Sequence, residues 1–240
     1  MTFENGTLMD TLVVMAKHPV AGQVKTRLAA SLGEQPAAAL ATAFLEDLIW
    51  RLADCGDRRI LATWPQTGES HDFFSQRSAG RFDLWPQPEG SLGDRLQAVF
   101  RDHLRPGLDD RVVVIGSDSP TLPTQTLAAA FDALDQQDVV LGPATDGGYV
   151  LIGLRRMVPG LFEQIDWSTA FVYEQTLQRL DAAGVRPAVL PAWYDIDTLD
   201  DLVRLYRELD DGAGEGRSAP ATWYRLRELS PDWDTRPTDG

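Results

Sequence analysis

The chain has 240 residues, which at roughly 150 residues per domain makes about one or two domains. With 43% hydrophobic and 24% charged residues it has an ordinary globular balance, and a chain of this size buries a core without disulfides or a structural metal. The lone Cys55 excludes an internal disulfide and a Cys-based zinc site, and a formal net charge of −14 argues against general nucleic-acid binding, because so negative a surface repels a phosphate backbone.

The polar start MTFENGTLMD lacks the basic and apolar parts of a leader peptide, and no apolar run approaches the ~18 residues of a membrane span. A soluble, cytoplasmic protein is expected. Thr11 to Ala16 (TLVVMA) reads as a strand, followed by a polar loop with Pro19 and Gly22. Apolar residues at helical spacing predict a long helix over about 35–53. A strand at 59–63, a short helix at 71–77 and a strand at 82–85 come next, and the loop PQPEGSLGD opens a helix at 95–104. The β-branched run Val112 to Ile115 reads as a central buried strand. Beyond it come a helix at 124–134, strands at 138–142 and 148–153, a helix at 169–182, a strand at 186–190 and a helix at 198–209.

Strands alternating with helices predict an α/β fold with a mostly parallel sheet covered on both faces. One folded domain over 1–209 is expected, with 210–240 as a loosely attached tail, since DGAGEGRSAP and PDWDTRPTDG are polar and rich in Gly and Pro. Ligands of open α/β sheets sit beyond the carboxyl ends of the strands. The loops after Ala16, Trp85, Ile115, Gly142 and Leu190 are therefore the places to search.

The first of these, AKHPVAGQVKTRLA, gathers Lys17, Lys25 and Arg27 around Gly22 and Thr26. Of the 22 basic residues only Lys17 and Lys25 are lysines, and both lie in this loop, which suggests a local demand for compact ammonium groups. A glycine-containing loop with several cations can present N–H groups and positive charge to a phosphate; the plain alternative is a solvated basic turn. It is not a Walker A loop, because Val24 stands where glycine should precede the lysine. His18 lies in the same loop and is available to help there, whereas His71 and His103 read as surface residues of helices.

In GSDSPTLP, Asp118 follows the central strand and suits a hard divalent cation that shares substrate phosphate oxygens. The alternative is a turn in which Ser119, Thr121 or Thr124 caps a helix. In GPATDGGYVLIG, Asp146, Gly147, Gly148 and Tyr149 offer polar contacts and close backbone approach, although Asp-Gly-Gly is also a hairpin signal. In WYDIDTLDDL, Asp195 or Asp197 can supply a second carboxylate, while Thr198 with Asp201 has the spacing of a capping box. No G-x-S-x-G and no paired metal histidines occur, so a nucleophilic hydrolase or a zinc enzyme is disfavoured.

The ordered set AKHPVAGQVKTRLAASLG, QPEGSLGDRL, GSDSPTLP, DVVLGPATDGGYVLIGL, IDWST and DIDTLDDL, spanning about Leu12 to Leu209, resembles the glycosyltransferase-like family labelled arsenosugar-biosynthesis or radical-SAM/selenodomain-associated transferase. More distantly, the K-x-R-L-A loop is similar to guanylyltransferases and cytidylyltransferases. The resemblance implies a Rossmann-like α/β/α sandwich of the GT-A nucleotide-diphospho-sugar transferase type. It implies that Lys17, Gly22, Lys25, Thr26 and Arg27 hold nucleotide phosphates, that Gln87, Leu92 and Gly93 face the base, and that Asp118 and Asp197 bind Mg²⁺ or Mn²⁺. Asp146, Gly147, Gly148, Tyr149, Trp167 and Asp195 would line the acceptor side, with Asp146 or Asp195 as general base. One departure stands out: many GT-A enzymes carry D-x-D, and this chain has D-S-P at Asp118.

The expected function is glycosyl transfer from a nucleotide-activated sugar to a small acceptor. Lys25, Asp118, Asp146 and Asp195 are the candidate catalytic residues, and a cation stabilises the leaving diphosphate. The first alternative is a nucleotidyltransferase that consumes a nucleoside triphosphate and releases pyrophosphate. The second is a nucleotide-binding regulatory domain without turnover. Nucleic acid is not an expected partner.

Overall fold

A computed structural model describes residues 8–105, 107–210 and 216–229. Seven strands form one sheet: β1 (Asp10–Lys17), β2 (Arg58–Trp64), β3 (Asp83–Pro86), β4 (Arg111–Gly116), β5 (Val139–Pro143), β6 (Tyr149–Leu154) and β7 (Ala188–Val189). Their order is β3-β2-β1-β4-β6-β5-β7. All pairings are parallel except those of β6, which runs antiparallel to both β4 and β5. The expected α/β sandwich with a mostly parallel sheet is the fold observed.

Among the described residues there are eight helices: α1 (Thr26–Leu32), α2 (Glu34–Arg51), α3 (Gly68–Ser78), α4 (Leu92–His103), α5 (Thr124–Leu134), α6 (Val172–Ala182), α7 (Leu199–Asp210) and α8 (Pro220–Leu229). Strand alternation divides the core in two. Leu12, Val14 and Ala16 of β1 point to one face, where they pack with Leu48 of α2, Phe74 of α3 and Phe131 of α5. Val13 and the neighbouring Val112 and Val114 point to the other face, against Val99 and Phe100 of α4 and Leu180 of α6. The sheet is thus buried on both faces, which is why its strands read as near-continuous apolar runs.

Two parts differ from the sequence reading. The residues after Gly22 do not stay a loop, since Thr26–Leu32 folds into the seven-residue α1. The segment expected as a loosely attached tail contains α8, whose Leu226, with the preceding Ala219, is fully buried in a third cluster with Leu40 and Phe44 of α2 and Leu205 of α7. Buried Asp47 of α2 accepts the N–H groups of Ala221 at 2.9 Å and Thr222 at 2.8 Å, two donors that the start of a helix leaves without an internal partner. Polar composition hid this helix, because its apolar positions are few and its cap comes from a distant element. Residues 211–215 and 230–240 of the expected tail lie outside the described residues.

The chain moves outward from β1 to β2 and β3, then returns to β4 on the other side of β1. Such a reversal opens a crevice at the carboxyl ends of the two central strands, here at Lys17 and Gly116. Among the described residues no helix is long and apolar enough to cross a membrane.

Candidate functional site

The loop leaving β1 is held by hydrogen bonds to backbone carbonyls, one of them at the end of β2. His18 N–H donates to Trp64 O at 2.6 Å, Gln23 N–H to Val20 O at 3.0 Å, and the Lys17 ammonium to Gln23 O at 2.7 Å. Lys25, at φ 47°, precedes α1 in a left-handed conformation and turns its side chain inward. Its ammonium lies 2.6 Å from Asp118 Oδ1 and donates to Asp197 Oδ1 at 2.9 Å and to Ile196 O at 2.7 Å. The Lys25 side chain is 5% exposed, against 48% for Asp118 and 40% for Asp197. Burial disfavours its charge, but the two carboxylates outweigh burial and hold the ammonium above its ordinary pKa.

The segments carrying these acids are joined by backbone. Trp193 pairs alongside Ala144 beyond β5, and Ile196 N–H donates to Asp118 O at 3.0 Å. Thr198 and Asp201 form the capping box of α7, with Asp201 N–H donating to Thr198 Oγ1 at 3.3 Å and Thr198 N–H to Asp201 Oδ2 at 2.7 Å. That reading of the D-T-x-x-D pattern is correct, and it leaves the Asp197 side chain free to face Lys25. Arg51, at the end of α2, donates to the carbonyls of Pro120 and Leu122 and fixes the loop after Asp118.

Ser119 does not cap a helix. Its hydroxyl lies 2.9 Å from Tyr194 O and 2.6 Å from Asp195 Oδ1. A hydroxyl has one proton, so both contacts are hydrogen bonds when Asp195 is protonated and donates to Ser119. Burial, reinforced by Asp118, pushes the Asp195 pKa up to about 6, against the opposing pull of Ser119 and Lys25.

Two cavities of about 290 and 280 Å³ adjoin at this point and share Lys17, Ser117 and Asp118 in their walls. The first is polar and also lined by Lys25, Thr26, Arg27 and Asp197. The second is more apolar, lined by Trp64, Gln87, Leu92, Arg95 and Tyr149 among others. Gln87 and Tyr149, assigned to base and acceptor sides from the sequence, therefore face one space.

Several expected residues lie elsewhere. A side chain on Gly93 would meet Phe162 O and Trp167 Nε1, each at 2.8 Å, so this glycine lets α4 pack closely and sits behind the cavity wall. Gly147, at φ 93°, has its would-be Cβ 2.1 Å from Ala170 O, a close approach that only glycine permits. Asp146 accepts from Gly148 N–H at 3.0 Å in the turn between β5 and β6, and it is absent from the walls of both cavities. Asp-Gly-Gly forms the turn of the hairpin that joins antiparallel β5 and β6. Trp167 lies edge-on to Tyr149, with ring centroids 6.5 Å apart, behind the cavity. Gly22, at φ 77°, packs beside the Glu34 carboxylate. His18 is enclosed by Phe73 and Phe74 rather than turned to the cavities, with its ring 4.5 Å from that of Phe73. His103 is buried, not a surface residue.

Sequence reasoning missed Arg51 and Arg95. The Arg95 guanidinium stacks 4.1 Å from the Trp64 ring at the wall of the second cavity. Position Arg95 was visible only as the start of a helix, and Trp64 comes from the end of β2.

Among the described residues no group of three or more His, Cys, Asp and Glu side chains gathers as a metal site. Asp118 and Asp197 are two part-exposed carboxylates beside an open polar cavity. That donor set fits Mg²⁺ or Mn²⁺ completed by water and substrate phosphate rather than an all-protein cage.

Comparison with known proteins agrees with this frame. The model of a family described as an uncharacterized protein conserved in bacteria, DUF2064, matches residues 50–169. A protein of Desulfovibrio desulfuricans G20, named as a candidate nucleotide-diphospho-sugar transferase, is 32% identical, with a TM-score of 0.83 over 91% of this chain and 94% of that one. The 3-phospho-D-glycerate guanylyltransferase of Phenylobacterium zucineum is 33% identical over 141 residues, 56% of this chain; the match spans 62% of that protein's length. In fold alone, the 4-diphosphocytidyl-2C-methyl-D-erythritol synthase of Anaerococcus prevotii is similar, at 11% identity and a TM-score of 0.55 over 85% of this chain and 99% of that one.

Proposed function

From the premise that the chain belongs to the DUF2064 family, we propose that it is a transferase of the nucleotidyl type. It would join a nucleoside monophosphate unit from a triphosphate to an oxygen of a small acceptor and release pyrophosphate. The observation that carries this reading is the pair of adjoining cavities around Lys17, Ser117 and Asp118, one cationic and one more apolar. In this reading the triphosphate occupies the first, and the base with its sugar occupies the second. The 33% identical guanylyltransferase moves the weight from glycosyl to nucleotidyl transfer, and a guanine nucleotide is the first donor to test.

In this reading an acceptor oxygen attacks the α-phosphorus, the bond to the bridging oxygen breaks, and pyrophosphate leaves with the electron pair. Little covalent chemistry falls to the protein, whose work is positioning and charge stabilisation. Lys17 and Arg27 meet the phosphates, and Asp118 and Asp197 hold a divalent cation. When bound, that cation supplies positive charge to the phosphate oxygens. Asp195, like Asp146, is absent from the walls of both cavities, so this reading assigns the role of proton acceptor to neither expected general base. Glycosyl transfer is the second reading, supported by the name of the 32% identical Desulfovibrio protein.

Calorimetric titration of GTP tests the site, with Mg²⁺ and with excess chelator. Wild type should bind more tightly with Mg²⁺, and Asp118→Ala and Asp197→Ala should lose that gain. Equal affinity of wild type in chelator, with turnover retained, would remove the cation from the site.

A further inference from the structure

Lys25 stands in the loop expected to grip phosphates, yet its contacts point elsewhere. An ammonium has three protons to donate, and three acceptors surround this one: Asp118 Oδ1 at 2.6 Å, Ile196 O at 2.7 Å and Asp197 Oδ1 at 2.9 Å. The Phe44 ring, 5.9 Å away, covers it further. No donor is left for a phosphate. Lys17 spends one donor on Gln23 O and keeps two, and Arg27 is exposed at the cavity.

We propose that Lys25 is an internal counter-ion that occupies the place between Asp118 and Asp197, so that the nucleotide-free protein binds divalent cations weakly and takes one up together with phosphate charge. The inference rests on the cation-assisted nucleotide reading above and reassigns a residue within it. The physical reason is charge balance. Two carboxylates neutralised by one ammonium carry a single net negative charge, and an arriving divalent cation meets a like charge a few ångströms away. Added phosphate negative charge relieves that repulsion, which couples the two ligands positively. A lysine that only organised the two acids would make the opposite prediction, because its removal would scatter the metal ligands. A lysine that only gripped phosphate would leave metal affinity without nucleotide unchanged.

Titration with Mn²⁺ alone, followed by electron paramagnetic resonance of the free ion, separates these outcomes. Lys25→Met keeps the length and removes the charge, and it should bind Mn²⁺ at least tenfold more tightly than wild type without nucleotide. Equal or weaker binding overturns the proposal. Should Lys25→Met not fold, wild type answers the question through its two lysines, Lys17 and Lys25. With ¹⁵N-labelled lysine, two ammonium resonances are expected, assigned by Lys17→Arg. Mg²⁺ with GTP should move the Lys25 resonance, whereas Mg²⁺ alone at the same concentration should not. A Lys25 resonance unmoved by both ligands together overturns the proposal. These readouts need no turnover. Unchanged Mn²⁺ affinity in a protein that forms pyrophosphate defeats the counter-ion role alone; tighter binding without pyrophosphate defeats the nucleotidyl reading alone.

Discussion

Arg51 Nη2 donates to Leu122 O across 2.9 Å, and its second nitrogen reaches Pro120 O, so that one side chain from α2 fixes the loop that follows Asp118. Hydrogen bonds from a charged donor stabilise by about 1.5–3 kcal/mol. Arg51→Ala should therefore lower unfolding free energy by roughly 2 kcal/mol in urea denaturation, and GTP affinity should fall because Asp118 is no longer held. A stability loss with unchanged GTP affinity would show that the loop keeps its place without Arg51.

The three cations of the first loop should behave differently from one another. Lys17→Ala and Arg27→Ala remove exposed charges, so stability should change by no more than ~0.5 kcal/mol while GTP affinity falls. Lys25→Ala leaves two carboxylates facing each other without a counter-ion, and should cost about 1–2 kcal/mol, discounted because both acids are part exposed. Urea denaturation of the three variants in parallel checks this order. Equal stabilities would contradict the buried clamp.

Some of this was legible in the sequence. Apolar runs gave six of the seven strands near their observed limits, because a sheet buried on both faces leaves little room for polar residues. The two lysines lie in the loop that lines the polar cavity, and Asp118, which follows the most β-branched strand, lines the same cavity. Gly93, Gly147 and Trp167 lie outside the walls of both cavities, and a glycine needed for close packing looks the same in sequence as one needed for a ligand. Only the distances to Trp167 Nε1 and Ala170 O separate the two cases. Arg51 and Arg95 were illegible because their partners, Leu122 and Trp64, come from elements far along the chain.

His103 gives a pH dependence of defined sign. Its ring lies 5.6 Å from that of Trp85, and among the described residues neither ring nitrogen has a hydrogen-bond partner. Burial, with help from Arg58, lowers its pKa from about 6.5. The unfolded chain then binds the proton more readily, so stability is complete above about pH 6.5 and declines as pH falls through the folded-state pKa. His103→Phe keeps the aromatic contact and removes the titration. Its unfolding free energy should fall less than that of wild type between pH 7.5 and 5.5. Parallel slopes would contradict the neutral buried ring.

Asp47 supports α8 through two backbone N–H groups. Removing a side chain that satisfies the start of a helix costs about 1–2 kcal/mol. Asp47→Ala should lose that much stability, and limited proteolysis should cut within 216–229 sooner than in wild type. Unaltered cleavage would mean that burial of Ala219 and Leu226 suffices to hold the helix.

The most direct test of nucleotidyl transfer is the identity of the phosphorus product. Wild type is incubated with Mg²⁺, a panel of nucleoside triphosphates and nucleotide sugars, and small acceptors bearing phosphate or carboxylate groups, and the products are resolved by phosphorus NMR. Pyrophosphate should accumulate from a triphosphate, in step with loss of the acceptor and most readily with GTP, and Lys17→Ala and Asp118→Ala should slow it by at least tenfold. Nucleoside diphosphate released from a nucleotide sugar, with no pyrophosphate from any triphosphate, would contradict the account.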